Sequence, residues 1–383
     1  MRVVIVSGIW PPDVGGPASH APEVAAYLRA RGHEVEVVTT ADTEPAAEAY
    51  PVRFVSRSLP PGVRHARAAA EVARRARSAD VVYTTGMLGR SSTGARLART
   101  PYVLKLTADP AFERARRRGL ADGDVDAFAS AGGIVPALLR FARDRAVRAA
   151  AHVVCPSSWL RDRAIGWGVD PARVTVLPNP APAATASSKG QTPGHGQGSD
   201  PWLAEADGPL LAFAGRLTAQ KSLEVALDAV AAVDGVRLAI AGDGPERPQL
   251  ERHAADAGLG DRVRFLGAAP REAVLALFRA ADASILSSGW ENFPHGVVES
   301  LAVGTPVLAT RAGGVAEVVE DGRNGLLVEV GDTDALAGAV RRYFADDGLR
   351  ARLRAEAAPS VAAYAPERVY GRLEAILRDA AGS

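Results

Sequence analysis

Cysteine, methionine and aromatic residues are scarce in this chain of 383 residues, which has one Cys, two Met and 5% Phe, Trp and Tyr. The single cysteine, Cys155, excludes an intrachain disulfide and a zinc cluster built on cysteines. Because Cys155 follows the strand-like run AHVV, we predict that it is a buried small side chain rather than a nucleophile.

Long apolar runs are also lacking. No stretch of about 18 apolar residues occurs, so we predict no membrane-spanning helix. The start, MRVVIVSGIWPP, lacks the separate apolar region and cleavage site of a secretory signal. We therefore expect a cytoplasmic protein.

Net charge is close to zero, at +1, but its distribution is uneven. Residues 1–180 contain 25 Lys and Arg against 17 Asp and Glu, whereas the remainder contains 20 against 27. The basic first half, with its Arg114–Arg118 cluster, predicts peripheral contact with an anionic acceptor or the inner membrane face. Arginines that only solvate helices are the alternative, and we expect no nucleic acid partner.

Short β-branched runs alternate with helical stretches along most of the chain. Strand-like runs from RVVIVS to RVTVLP, with helical segments between them, are typical of a parallel sheet covered by helices on both faces. The pattern restarts with PLLAFAG and continues to PVLAT. The chain is also too long for one ordinary core. We therefore predict an α/β protein with two doubly wound, Rossmann-like domains that face each other across a cleft.

Periodicity disappears between residues 181 and 208, where Gly, Ser, Pro, Thr and Gln dominate. Such a composition predicts a flexible linker or loop. The first domain then covers residues 1–180 and the second begins at 209 and ends at about 361.

Two glutamates, Glu291 and Glu299, flank the start of a predicted helix in WENFPHGVVESLAV. Pro294 and Gly296 mark the loop that opens this helix. A helix start has free backbone N–H groups and a positive dipole end, which suit a phosphate. The carboxylates can accept hydrogen bonds from hydroxyls on either side of such an anion. Two solvated acids are the alternative.

Arg216 and Lys221 lie in another strand-to-helix loop, directly after PLLAFAG. Both follow the carboxyl end of a predicted strand, where open α/β sheets bind ligands. Arginine supplies a planar fork of donors and lysine a mobile charge, so the pair can hold a diphosphate.

Weaker candidates follow other strands. Gly242 lies in a GDGP turn that suits a phosphate or a plain turn equally, and the backbone at Gly267 could line a base pocket. Gly15 and Gly16 let the backbone approach a ligand, but without a GxGxxG pattern they do not indicate a dinucleotide cofactor. Asp109 either contacts the sugar or acceptor, or caps a helix that starts at Pro110.

Together these segments resemble family 4 of the retaining glycosyltransferases (glycosyl transferases group 1), which have the GT-B fold. The similarity covers most of the chain and runs in order through GGPASH, CPSSWLRDRAIGWGVDPARVTVLPN, GRLTAQK, AGDGP, ENFPHGVVES, GTPVLATRAGG and GRNGLLVEVGD.

The resemblance implies roles for particular residues. Arg216 and Lys221 would hold the donor diphosphate, Glu291 the transferred sugar and Glu299 the ribose hydroxyls. Gly16 would approach the diphosphate from the first domain, and the final helix, about 362–383, would cross back onto that domain. The backbone around the helix start would contact phosphate and sugar, at Phe293, Pro294, His295, Gly296 and Val297.

Two segments depart from the family pattern. Many relatives have a histidine after the strand that ends here at Leu106, whereas this chain has Thr107-Ala-Asp109. Asp109 is the predicted catalytic substitute. The family's NGVD is replaced here by Asn179-Pro-Ala-Pro.

We therefore predict a retaining, metal-independent hexosyltransferase that needs no cofactor. It would move a sugar from a nucleoside-diphosphate donor, a UDP-sugar in preference to a GDP-sugar, to a hydroxyl of a glycan, a glycolipid precursor or a secondary-metabolite scaffold. In a same-face displacement the leaving diphosphate takes the proton of the acceptor. The alternatives are a nucleotide-sugar epimerase and a nucleotide-sugar-binding module without transfer.

Overall fold

The computed structural model describes residues 1–13, 16–121, 125–182, 202–203 and 208–382. The chain forms two compact units. The first unit comprises residues up to Pro178 and from Val369 onward, and the second is Asn179–Arg368. The sequence predicted that the first domain ends at residue 180 and that the chain returns to it at about residue 362. Most of the predicted linker, residues 183–201 and 204–207, lies outside the described residues.

Seven parallel strands form the sheet of the first unit, in the order β3-β2-β1-β4-β5-β6-β7. They are β1 (Arg2–Val6), β2 (Glu34–Ala41), β3 (Val52–Ser56), β4 (Val81–Thr84), β5 (Tyr102–Lys105), β6 (His152–Cys155) and β7 (Val174–Val176). The accompanying helices are α1 (Gly16–Ala30), α2 (Pro61–Ala76), α3 (Leu88–Ala98), α4 (Pro110–Arg116), α5 (Val125–Ser130), α6 (Ile134–Arg148) and α7 (Ser158–Gly166).

Strand β1 shows why this sheet is buried on both faces. Alternate side chains of a strand point to opposite faces. Val3 and Ile5 belong to one apolar cluster, whereas Val4 and Val6 belong to another. Cys155 is fully buried in the second cluster, as predicted, and burial raises the pKa of its thiol to about 12. A continuous β-branched run therefore forms a central parallel strand.

The second unit has six parallel strands in the order β10-β9-β8-β11-β12-β13. They are β8 (Leu210–Ala214), β9 (Arg237–Ala241), β10 (Val263–Gly267), β11 (Ala283–Leu286), β12 (Val307–Thr310) and β13 (Gly325–Val328). The helices are α8 (Leu223–Ala231), α9 (Arg247–Asp256), α10 (Arg271–Ala280), α11 (His295–Ala302), α12 (Thr333–Ala345) and α13 (Asp347–Ser360), followed by the final helix α14 (Pro366–Gly382). None of the helices in the described part of the chain combines the length and apolar content that crossing a bilayer requires.

Strand β13 is the one strand that the sequence pattern did not predict. It begins at Gly325, which pairs with Val307 of β12. A side chain at Gly325 would place its Cβ 2.3 Å from the carbonyl oxygen of Val307. The strand therefore starts with a residue that β propensity disfavours, because the neighbouring backbone leaves no room for another.

Helix α14 is attached to the first unit by a buried carboxylate. Glu374 accepts hydrogen bonds from His33 Nε2 at 2.8 Å, Arg31 Nε at 3.2 Å and Arg378 Nη2 at 2.8 Å. Burial alone would raise the pKa of Glu374, but the hydrogen bonds from His33 and Arg378 and the charge of Arg31 outweigh it and lower the pKa to about 2. The ionised carboxylate therefore stabilises the folded unit.

We predict that Glu374→Gln lowers the stability of the first unit by roughly 3 kcal/mol at neutral pH, the equivalent of the pKa difference between 4.5 and about 2. A folded pKa below the unfolded one gives stability that is complete above pH 4.5 and is lost as the pH falls towards 2. The difference between wild type and variant in urea unfolding should therefore shrink over that range. Glu356→Gln, at an exposed ion pair with Arg323, is the matched control and should not shift the midpoint. A pH-independent difference would contradict the assignment.

Candidate active site

The candidate site lies where the strand order of the second sheet reverses. Strands β8 and β11 are neighbours there, although β9 and β10 come between them in sequence. Such a reversal in a parallel sheet opens a crevice at the carboxyl ends of the strands, where ligands bind. Arg216 and Lys221 lie in the loop after β8, and Glu291 lies in the loop after β11. Residues from two distant segments thus share one sheet edge.

An ion pair joins these two loops. Lys221 Nζ donates to Oε1 of Glu291, and Ser288 Oγ donates to the same oxygen at 2.7 Å. Glu291 is only 4% exposed, so its charge is compensated within the protein, as a buried carboxylate requires. The sequence predicted Lys221 and Glu291 as site residues but did not predict their pairing or the part of Ser288.

Three further hydrogen bonds fix the loops against each other. The N–H of Gly289 donates to the carbonyl of Gln220, whose side-chain Nε2 donates to the carbonyl of Trp290, both at 2.9 Å. Ser287 Oγ donates to the carbonyl of Lys221 at 3.0 Å. Sequence reasoning missed Gln220 and Ser287, although Gln220 lies within the GRLTAQK segment. The two loops therefore form one rigid element.

A third loop, after β12, supports Glu291 from behind. The N–H of Gly314 donates to the carbonyl of Glu291 at 2.9 Å, and Thr310 Oγ1 donates to the carbonyl of Ser288 at 2.7 Å. Gly313 has φ +50°, and a Cβ there would lie 2.2 Å from the carbonyl oxygen of Glu291. Only glycine allows this approach. Close packing against the Glu291 carbonyl therefore explains the first glycine of ATRAGG, Gly313.

Helix α11 begins at His295, one residue earlier than the turn to helix predicted at Gly296. Phe293 and Val297 are buried in the apolar core, so only their backbone can reach a ligand. Pro294 provides no side-chain cap. His295 Nε2 lies 3.0 Å from Asn179 Nδ2, and its ring meets Phe293 edge to face. A Cβ at Gly296 would lie 3.1 Å from the carbonyl oxygen of Ala214, so the helix start lies against the end of β8.

Glu299, on the same helix, pairs with Arg271 at the start of α10. Arg271 Nε and Glu299 Oε1 are 2.9 Å apart, and the Glu299 side chain is 19% exposed. The alternative of a solvated surface acid does not describe this arrangement. Sequence reasoning missed Arg271, because nothing in the local pattern indicates that the first residue of α10 reaches α11.

Arg216 is exposed and has no hydrogen bond or ion pair among the described residues.

The GDGP turn lies against the loop that contains Arg216, since a Cβ at Gly242 would be 1.8 Å from the carbonyl oxygen of Gly215. The N–H of Gly242 donates to the carbonyl of Gly267 at 2.7 Å and is therefore not available to a phosphate. A donor contact at Gly242 stays a prediction and would have to use another backbone atom of the turn. At Gly267, with φ +74°, the nearest side chain to a Cβ would be Arg247, at 3.3 Å.

In the first unit, Asp109 is a buried helix cap. Its Oδ1 accepts from the N–H groups of Ala111 at 2.8 Å and Phe112 at 3.2 Å, and its Oδ2 pairs with Arg143 at 2.6 Å. Asp109 is 5% exposed. The capping alternative is confirmed, and with both oxygens engaged we do not assign Asp109 a catalytic role.

Of the two glycines predicted to approach the donor, Gly16 is the first residue of α1, and Gly15 lies outside the described residues.

Comparison with known proteins gives a family match in each of the two units. The family model "Glycosyl transferase 4-like domain" matches residues 15–180, and "Glycosyl transferases group 1" matches residues 199–359. The D-inositol 3-phosphate glycosyltransferase of Acidothermus cellulolyticus is 30% identical, with 89% of this chain and 80% of that protein aligned. This chain belongs to the group 1 glycosyltransferases. The predicted family is thus confirmed.

Other known proteins match this chain in sequence over part of its length or resemble it in fold. The lipopolysaccharide core biosynthesis glycosyltransferase LpsE of Rhizobium meliloti is 38% identical, but this chain spans only 43% of its length. The structure of Anabaena Alr3699/HepE in complex with UDP has a TM-score of 0.78 at 20% identity and covers 99% of this chain and 100% of its own. The predicted fold class, GT-B with two Rossmann-like α/β domains, is confirmed.

We predict that Asp109→Ala destabilises the first unit by about 2–4 kcal/mol, because it removes a helix cap and one of the two carboxylates that pair with buried Arg143. The other carboxylate, Asp144, keeps its contact with Arg143 Nε at 2.8 Å. Thermal and urea unfolding of the purified variant measure this loss. Asp126→Ala, at an ion pair in which the Asp126 side chain is 72% exposed, is the control and should change stability little. A variant of native stability that lost sugar transfer would instead give Asp109 a direct role in the chemistry.

Proposed function

We propose that this glycosyltransferase transfers a sugar from a nucleoside-diphosphate donor to an acceptor hydroxyl, with retention at the anomeric carbon. One observation carries the proposal. Two cations, Arg216 and Lys221, and two acids, Glu291 and Glu299, come from the loops and helix at the carboxyl edge where β8 meets β11. Anion and hydroxyl recognition are both available there.

The diphosphate is assigned to the loop after β8 and the start of α11. Arg216 has no carboxylate partner among the described residues, so its guanidinium can bind phosphate oxygens bidentately. The N–H of Gly296, near the helix start, has no acceptor in the described structure and adds the positive end of the helix dipole. These groups stabilise the charge that develops on the departing diphosphate.

The hydroxyl groups of the donor are assigned to the two acids. Lys221 and Ser288 hold Oε1 of Glu291, and Oε2 has no donor among the described residues. That oxygen is therefore available to a hydroxyl of the transferred sugar. Glu299, oriented by Arg271, accepts from the ribose hydroxyls. Hydrogen bonds to carboxylates are stronger than neutral ones, so both contacts fix the donor's orientation.

The reaction is a displacement on one face of the sugar. The acceptor oxygen forms a bond to the anomeric carbon as the bond from that carbon to the diphosphate oxygen breaks, and the acceptor proton passes to the leaving diphosphate. No nucleophile of the protein takes part. Arg216 and Lys221 supply the positive charge that the leaving group needs, so the scheme uses neither a metal ion nor a cofactor.

A UDP-sugar is the favoured donor, supported by the UDP complex of the structurally similar Alr3699/HepE, with a GDP-sugar as the alternative. The acceptor classes are glycans, glycolipid precursors and secondary-metabolite scaffolds. The names of relatives, which include lipopolysaccharide core and D-inositol 3-phosphate glycosyltransferases, agree with these classes. An epimerase would interconvert nucleotide-sugars without an acceptor, and a binding module would bind them without turnover.

We predict that Arg216→Ala reduces sugar transfer at least about 100-fold, since it removes one preorganised group that stabilises the leaving diphosphate. This variant is a cleaner test than Lys221→Ala or Glu291→Ala, each of which leaves the other member of a buried pair uncompensated. Nucleotide release from a UDP-sugar over a panel of acceptors measures the rate.

The matched control is Arg252→Ala, an exposed arginine of α9, which should transfer sugar at the wild-type rate. Full activity of a folded Arg216→Ala variant would contradict the diphosphate assignment. Tight binding of UDP-sugars by the wild type with no turnover on any acceptor would identify a binding module instead.

We predict that Glu299→Gln weakens binding of UDP about tenfold or more, because charge-assisted hydrogen bonds to the ribose are replaced by neutral ones. Arg271→Ala should weaken UDP binding to a smaller extent with turnover at saturating donor unchanged, since Arg271 is assigned to orient Glu299 and not to contact the donor. Calorimetric titration with UDP and with inorganic diphosphate separates these effects: the Glu299 variant should bind diphosphate normally. An equal loss for both ligands would place Glu299 at the phosphates.

A further inference from the structure

Helix α6 exposes a row of large apolar side chains. Ile134 is 80% exposed, Leu138 60% and Phe141 63%. Their spacing of four and three residues places them on one face, and Val135 beside them is 43% exposed. Such a face on a helix within a folded domain differs from scattered surface leucines, which need no explanation.

The neighbours of α6 enlarge this apolar surface. Leu97, at the end of α3, is 65% exposed, and Leu120, just after α4, is 44% exposed. Both α3 and α4 pack against α6. Four of the nine large apolar side chains that are exposed among the described residues therefore lie on α6, and Leu97 lies on a helix that packs against it. We call this region the α6 patch; its members are Leu97, Ile134, Val135, Leu138 and Phe141.

The opposite face of α6 is firmly attached to the first unit. Leu139, Ala146 and Val147 are buried, and Arg143 pairs with buried Asp109 and stacks on the Trp167 ring with 4.1 Å to its centroid. Rolling the helix to hide its apolar row would break these contacts. The α6 patch is therefore a stable surface of this unit.

Arginines border the α6 patch at one end. Phe141 lines a shallow depression of about 420 Å³ together with Arg96, Arg145 and Arg148. Neither Arg96 nor Arg145 is in an ion pair among the described residues. Arg148 Nη2 lies 3.8 Å from Asp144 Oδ2, and Arg148 Nε donates to the Asp144 carbonyl at 3.2 Å. Apolar side chains thus lie beside three arginines, two of which have no ion pair among the described residues.

We infer that the α6 patch rests on the surface of an anionic lipid bilayer. The apolar side chains would enter the boundary between headgroups and acyl chains, and Arg96, Arg145 and Arg148 would lie against anionic headgroups. This inference is independent of the proposed sugar transfer, since it uses residues of the first unit that the candidate site does not.

A bilayer fits this surface better than a protein partner does. The apolar row spans only about two turns of one helix, whereas a stable protein interface uses roughly 20–30 residues on each side. A lipid surface surrounds a narrow row of side chains and needs no matching shape. The excess positive charge of residues 1–180 attracts the chain to the same kind of surface.

The test is sedimentation of the purified full chain with vesicles. Vesicles of phosphatidylcholine mixed with phosphatidylglycerol should carry the protein down, and vesicles of phosphatidylcholine alone should carry much less. The double variant Leu138→Ser/Phe141→Ser should lose binding to the mixed vesicles about tenfold or more, because it removes the side chains that enter the bilayer. Arg145→Glu should also weaken binding to the mixed vesicles and should narrow the difference between the two lipid compositions, since Arg96 and Arg148 remain.

Matched controls come from the second unit. Val330→Ser changes a valine that is 46% exposed, and Arg352→Glu reverses an exposed arginine; both should bind vesicles like wild type. Circular dichroism and nucleotide release with a soluble acceptor check that each variant remains folded, separately from vesicle binding. Equal binding to both vesicle types, or unchanged binding of the Leu138→Ser/Phe141→Ser variant, would overturn the inference.

The oligomeric state shows whether a second copy of the chain, rather than a bilayer, covers the α6 patch. If the wild type is a dimer that fails to bind vesicles, and Leu138→Ser/Phe141→Ser converts it to a monomer, the α6 patch is an interface between copies of the chain and the bilayer inference is wrong. A wild type whose oligomeric state the variant leaves unchanged, with vesicle binding lost, supports the bilayer.

Discussion

Parallel pairing of every strand is the constraint on which both units depend. A parallel pair cannot be closed by a tight turn, so each strand continues through a crossover and the loops that follow the strands gather at the carboxyl edge of the sheet. In the second unit the strand order reverses between β8 and β11. Sheet topology, rather than nearness in sequence, therefore brings Lys221 to Glu291.

Topology alone would leave these loops mobile, and the network around them removes that freedom. Gln220 and Ser287 connect the two loops to each other. The close contact of Gly313 with the Glu291 carbonyl connects a third loop, the one after β12, to them. Catalytic electrostatics act best when the charged groups are fixed before substrate arrives. The network uses backbone carbonyls and the polar side chains of Gln220, Ser287 and Thr310.

The sequence was sufficient for the strands that are buried on both faces, because β-branched runs such as RVVIV are distinctive. It failed at β13, where contact with the Val307 carbonyl requires Gly325 and weakens the strand signal. At the site, residue types and loop positions predicted Arg216, Lys221, Glu291 and Glu299, and the structure places all four at the carboxyl edge near β8 and β11. The pairing of these side chains was not predictable, since Lys221 meets Glu291, and Arg271 meets Glu299, only through the packing of separate elements.

Asp109 shows how a residue that resembles a catalyst can determine a surface instead. Burying its ion pair with Arg143 is costly in desolvation, and an apolar pair of similar volume could be as stable. The pair does, however, fix the rotation of α6. At about 100° per residue, Ile134, Leu138 and Phe141 all lie within roughly 40° of the direction opposite Arg143. Because Asp109 and the Trp167 ring hold Arg143 inward, beside the buried Leu139, Ala146 and Val147, the same helix presents its apolar row and the guanidinium groups that follow it to solvent.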